Sequence, residues 1–141
     1  MILPDVNVLI FAFRSDCERH AEYKSWLERV INGPAAYGVA PQVLGSVMRI
    51  CTHPRIFAKP SARDAVFDFC NLLLELPNAT VITPGERHWS IFKDVCIKSN
   101  AIGNLAQDAW FAALAIESGA EWITTDGDYA RFEGLRSRAP F

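Results

Sequence analysis

The chain reads as a single α/β domain spanning residues 1–141, a three-layer α/β/α arrangement on an open, mainly parallel sheet of four to five strands. Three observations predict this class. Short apolar, β-branched runs alternate with longer helical patterns in the order strand, helices, strand, helices, strand, helices, strand. The first run, Met1-Ile-Leu-Pro, is continuously apolar, as a strand at the centre of a parallel sheet is. The fourth strand-like run ends directly in Asp126-Gly127-Asp128, so acidic residues fall where strands give way to loops.

The elements follow in order. Asp5 closes the first strand, and Asn7 to Phe13 begins the crossover. Glu18 to Ile31 has amphipathic spacing, with Ala21, Trp26, Leu27, Val30 and Ile31 toward the core, and Asn32-Gly33-Pro34 stops it. Tyr37 to Ala40 makes a second strand, and Pro41 suits the first turn of the next helix. That helix, Gln42 to Cys51, buries Val43, Leu44, Val47, Met48 and Cys51, leaves Arg49 off that side, and ends at Thr52-His53-Pro54-Arg55. Ser61 to Asp64 has capping-box-like spacing for a helix to about Glu75, packed through Phe67, Cys70, Leu73 and Leu74. Ala79 to Thr83 is a third strand, and a helix runs from Glu86 to Lys98.

Asn104 with Gln107 reads as a capping pair for the helix that follows, and Gly119 as its left-handed stop. Ala109 to Ile116 is apolar on every face, so this helix is expected to be buried. Asp108, placed in its first turn, breaks the pattern; the plain alternative is a charge answering the helix dipole. Glu121 to Thr125 is the fourth strand, Asp128 to Phe132 a helical turn, and Leu135 to Arg138 a last edge strand.

A chain of this length buries roughly 70% of its unfolded surface without staples. The net charge of −2 leaves any nucleic-acid contact to a local basic patch. Such a patch is legible: no acidic residue lies between Glu28 and Asp64, while Arg29, Arg49, Arg55, Lys59 and Arg63 do. Arg131, Arg136 and Arg138 repeat this near the end, and a solvated face is the plain alternative for both groups. Apolar runs are far short of the ~20 residues that cross a bilayer. With an early Asp5, no basic start and four widely spaced cysteines, the expectation is a cytoplasmic protein with reduced thiols.

In parallel α/β sheets the carboxyl ends of strands and the amino ends of helices share one edge, where ligands bind. Asp5, Asp108, Asp126 and Asp128 are expected to meet there. Two carboxylates about 4 Å apart repel by roughly 4 kcal/mol at an effective dielectric of 20, so such a cluster takes up protons or a cation. Oxygen ligands without histidine or cysteine favour Mg²⁺ or Mn²⁺, and phosphodiester hydrolysis is the natural chemistry. His20 and His88, read as mid-helix, and His53 have no serine or cysteine partner at nucleophile spacing.

LPDVNVLI, THPR, GNLAQDAWFAALAIESG and TTDGDYARFEGL, in this order over essentially the whole chain, resemble PIN-domain ribonucleases, and more narrowly VapC toxins of bacterial toxin–antitoxin pairs. The resemblance implies a toxin endoribonuclease of a type II system that cuts single-stranded or looped RNA with Mg²⁺ or Mn²⁺, a VapB-type antitoxin, and a homodimer. It implies that Asp5, Asp108 and Asp126 are catalytic metal ligands, with Asp128 a supporting acid. Asn7, Asn104 and Thr125 would be polar neighbours. The charge pattern itself, read as a basic rim around the acidic pocket, offers Arg49, Arg55 and Lys59 for contact with RNA. Ser46 stands where many PIN domains carry a glutamate, so the pocket has less charge and weaker metal affinity is expected. The competing reading is a non-catalytic RNA- or protein-binding module. An acid-pocket phosphatase or phospho-receiver fits less well, because Asn7 replaces the second aspartate and no lysine follows Lys98.

Overall fold

The computed structural model describes residues 1–141. Its elements are β1 (Ile2–Pro4), α1 (Val6–Phe13), α2 (His20–Ile31), β2 (Tyr37–Val39), α3 (Pro41–Cys51), α4 (Arg63–Glu75), β3 (Ala79–Val81), α5 (His88–Ser99), α6 (Asn104–Ser118), β4 (Glu121–Ile123), a 3₁₀ turn (Gly127–Arg131) and β5 (Ser137–Arg138). All five strands pair in parallel in the order β3-β2-β1-β4-β5. The chain therefore winds outward from β1 to β3, then crosses to the other side of β1 for β4 and β5. Right-handed crossovers place the two sets of connecting helices on opposite faces. The strand order switches between β1 and β4, the place where open α/β sheets bind ligands. No helix is long and apolar enough to cross a membrane.

β1 sits at the centre. Its register against β4 (Leu3 with Trp122, Pro4 with Ile123) continues one step further, where Asp5 N–H donates to the Ile123 carbonyl at 2.9 Å. That pairing sets Asp5 and Thr124 side by side. Leu3, Trp122, Ile123, Val8, Val47 and Leu114 are essentially inaccessible to water and knit the sheet to helices from both faces. All four cysteines are free thiols, and burial pushes the pKa of each upward.

Several expectations need correction. Asn104 is the first residue inside α6 rather than its cap. Gly103, at φ 58° and ψ −131°, takes the capping position, a backbone region that side chains avoid. Asp108 is consequently one residue further in than expected, just past the first turn. Gly119, at φ 70°, is the left-handed stop. No side chain caps α4, because the cap position falls on Ala62 rather than Ser61, whose Oγ accepts a hydrogen bond from Arg14. Ala21 and Phe67 are exposed, and Tyr23 takes the core position on α2. His20 and His88 open their helices, where their ring nitrogens meet the Phe11 and Trp110 carbonyls.

Candidate active site

Asp5 is the residue through which the sheet and the site are joined. It is only 4% exposed, yet it sits at the end of a strand and caps α1, its Oδ1 accepting from Val6 N–H at 2.6 Å. Its other oxygen accepts from Thr124 Oγ1 at 2.5 Å, across the β1–β4 pairing. Thr124 Oγ1 in turn accepts from Asp126 N–H at 3.0 Å. One buried hydroxyl thus fixes two acidic positions at once. Thr124 is the threonine that serves the site, while Thr125 points to solvent.

α6 enters from the other side. Gln107, Asp108 and Phe111 face the cleft, which is closed by Val6, Asn7 and Ile10 of α1, Ser46, Arg49 and Ile50 of α3, and Asp126 with Tyr129 beyond β4. Carboxylate oxygens of Asp108, Asp126 and Asp128 lie within 4.8 Å of one another. Asp5 shares the cleft but lies outside this close trio, with one hydrogen bond to each of its oxygens, from Val6 N–H and from the Thr124 hydroxyl. Asp128 leans outward, 3.0 Å from Arg131.

The electrostatics follow from burial and proximity. Desolvation is the main cause of the rise in the Asp5 pKa to about 6. The fields of Asp108 and Asp126 add to it, while the Thr124 and Val6 hydrogen bonds act against it. Asp108 is raised for the same leading reason, helped by Asp126. Tyr129, buried beneath the acids, has its phenol pKa driven upward by burial and by the three neighbouring carboxylates. It therefore stays protonated, with its hydroxyl 3.4 Å from Asp108 Oδ1 as a donor.

A hard cation fits this donor set. The groups are oxygens alone, the donor type that hard divalent ions such as magnesium take, and three of the carboxylates lie within 4.8 Å of one another. Asn7, which lines the same cleft, adds a neutral oxygen, its Oδ1 buried without any hydrogen-bond donor.

Of the sequence-predicted residues, Asp5, Asn7, Ser46, Arg49, Asp108 and Asp126 line one cleft, with Asp128 at its margin. Asn104, Thr125, Arg55 and Lys59 lie outside the lining. Sequence reading missed Tyr129 and Thr124. Tyr129 carried a signal, a lone tyrosine three residues after Asp126 on a short helical turn.

The family model for the PIN domain matches residues 2–135. The chain belongs to the PIN-domain family. Within that family it is similar to Ribonuclease VapC43 of Mycobacterium tuberculosis, 39% identical over 140 residues that cover 99% of this chain and 95% of the relative. It is also 34% identical to Ribonuclease VapC25 of the same species, over 99% of both chains. Among solved structures, VapBC2 from Rickettsia felis bound to a promoter DNA fragment superposes with TM-score 0.72 at 16% identity, covering 99% of this chain and 98% of that one. M. tuberculosis VapC20, described as a sarcin–ricin loop cleaving toxin, gives 0.66 at 16% identity over 96% and 99%. At such identities the structures establish the PIN fold. The family assignment rests on the domain match and the closer relatives.

Thr124→Val keeps the shape of this PIN-domain site and removes the shared hydroxyl. Leaving the buried Asp5 oxygen without its donor is expected to cost about 1–3 kcal/mol of stability. Because that bond holds the Asp5 pKa down, the acid limb of any cleavage profile should move to higher pH. Thermal unfolding and a pH–rate profile check both.

Proposed function

We propose that this PIN-domain protein is a VapC-type toxin endoribonuclease of a type II toxin–antitoxin pair. It would act in the cytoplasm as a single domain spanning residues 1–141, hydrolysing RNA with Mg²⁺ or Mn²⁺. The observation that carries this reading is the gathering of Asp5, Asp108 and Asp126 in one cleft of a chain whose relatives are ribonucleases. Asp5, Asp108 and Asp126 would hold the ion, with Asn7 and Asp128 supporting. The bound ion would supply Lewis acidity toward a phosphoryl oxygen and lower the cost of ionising a water.

The chain's own groups have distinct tasks. Thr124 and Val6 N–H keep Asp5 oriented as it gains and loses its proton. The Tyr129 hydroxyl stiffens Asp108 from below. Arg49, exposed at the rim, offers a cation to the incoming phosphate. Ser46, also on the cleft wall, contributes a hydroxyl but no charge, which supports weaker ion binding than a glutamate there would give. The partner is a VapB-type antitoxin, in keeping with the solved VapBC complexes of the same fold. The assembly would be a homodimer, as the resemblance implies. Identity of 39% to a named ribonuclease weighs against a purely non-catalytic module. Purified protein is expected to cut RNA, to stop with EDTA, and to resume with added Mn²⁺. RNA left intact under every metal condition would overturn the reading.

A further inference from the structure

Residues 52–62, between α3 and α4, form no helix or strand, yet the segment is folded tightly on itself. Ser61 N–H donates to the Cys51 carbonyl at 2.8 Å and closes its two ends together. What fills the closed loop is a buried arginine from a distant part of the chain. Arg14, one residue past α1 and 6% exposed, donates from Nη1 to Ser61 Oγ at 2.9 Å and to the Cys51 carbonyl at 3.5 Å. Its Nη2 donates to the Lys59 carbonyl at 2.9 Å, and its guanidinium lies 3.6 Å from the Phe57 ring centroid. Asp16 grips the guanidinium from outside through Nε and Nη2, at 2.9 and 2.6 Å. One planar fork thus satisfies the loop's inward-facing polar groups and stacks on its aromatic. A lysine, a three-donor point charge, cannot reproduce this.

The loop's outer surface carries Arg55 and Lys59, both exposed and neither in an ion pair, unlike Arg131 and Arg138. The loop also starts where the cleft ends. Arg49 and Ile50 line the cleft immediately before the loop, and Ile10, one turn before Arg14, lines it from the α1 side. We infer that the Arg14-braced loop is an arm that grips the RNA backbone beyond the acidic cleft. Arg55 and Lys59 contact phosphates, and Arg14 is the positioning residue that holds them without touching RNA. This inference rests on the ribonuclease reading above and adds to it where the substrate runs.

The test is equilibrium binding of a single-stranded RNA with a cleavage-resistant backbone to the full-length protein across a KCl series. Arg55→Ala/Lys59→Ala should weaken binding on the order of tenfold and reduce the log–log salt slope by ~1.4, two contacts at ~0.7 each. Arg14→Gln should lower the slope by a similar amount although its side chain is buried. Arg14→Lys should not restore it, and Mn²⁺ uptake by calorimetry should match wild type in all three. Should Arg14→Gln not fold, Asp16→Asn and Ser61→Ala each remove one brace and should each give a partial loss of slope. A wild-type slope in Arg55→Ala/Lys59→Ala, or in a folded brace variant, would overturn the inference. Wild-type protein that binds the RNA with the full slope but never cuts a cleavable version would instead overturn the ribonuclease reading and leave the arm in place.

Discussion

Asp108→Asn is expected to lower kcat/KM for RNA by about a thousandfold or more, the several kcal/mol that a charged ligand of a catalytic ion contributes. The fold should be undisturbed. Asp108 lies on α6 beside a core of Ala109, Phe111, Ala112 and Leu114, none of which the substitution touches. Its carboxylate is already uncomfortable without a cation, since burial and Asp126 raise its pKa. Replacing it with a neutral amide of the same shape removes that repulsion. Metal-free Asp108→Asn should therefore unfold at a temperature equal to or above wild type while its activity is lost. A variant that is folded and fully active would remove Asp108 from the proposed ligand set.

Stability of the metal-free protein is expected to fall as pH rises from 4 through 6. Asp5 titrates near 6 in the folded chain against 3.8 in the unfolded one. A raised folded pKa means that the native state holds the proton more tightly. The resulting stabilisation is fully present below the unfolded value and is lost as pH passes the folded one. At about 1.4 kcal/mol per unit, the loss is about 3 kcal/mol. A divalent ion should reverse the sign, because it competes with the proton and favours the ionised carboxylate. Thermal unfolding at pH 5 and pH 7 in EDTA, and again in Mn²⁺, should show a gap between the two conditions that widens toward pH 7. Cleavage at limiting Mn²⁺ should decline below about pH 6, with the acid limb moving lower as Mn²⁺ is raised. A gap independent of pH would separate Asp5 from ion binding.

The sheet and the acid cleft were both legible in the sequence because they rest on pattern and topology. Continuous apolar runs marked the parallel strands, and the carboxyl ends of β1 and β4 had to share an edge with the start of α6. That edge brought Asp5, Asp108 and Asp126 together from opposite ends of the chain. What escaped were matters of a single residue or a single competing bond. β4 ends at Ile123, so side-chain alternation turns Thr124 inward and Thr125 outward, and an offset of one position reverses the assignment. Asn104 failed as a cap because Gly103 reaches a backbone conformation that no other residue takes readily. Ser61 failed for a different reason: α4 starts one residue later than the spacing suggested, so Ala62 takes the cap position and the Ser61 hydroxyl receives a buried arginine instead. Phe67 fits an amphipathic period, but α4 presents that side to water. Local periodicity carries no information about which neighbour will arrive.

Isothermal titration of Mn²⁺ into metal-free protein at pH 7, with Asp5→Asn and Asp108→Asn alongside, tests the shared cation nest most directly. The site as described predicts saturable uptake by wild type and uptake weakened at least about tenfold in each variant, about 1.4 kcal/mol for the loss of one charged oxygen ligand. No detectable heat of binding in wild type, or equal affinity in all three proteins, would contradict it.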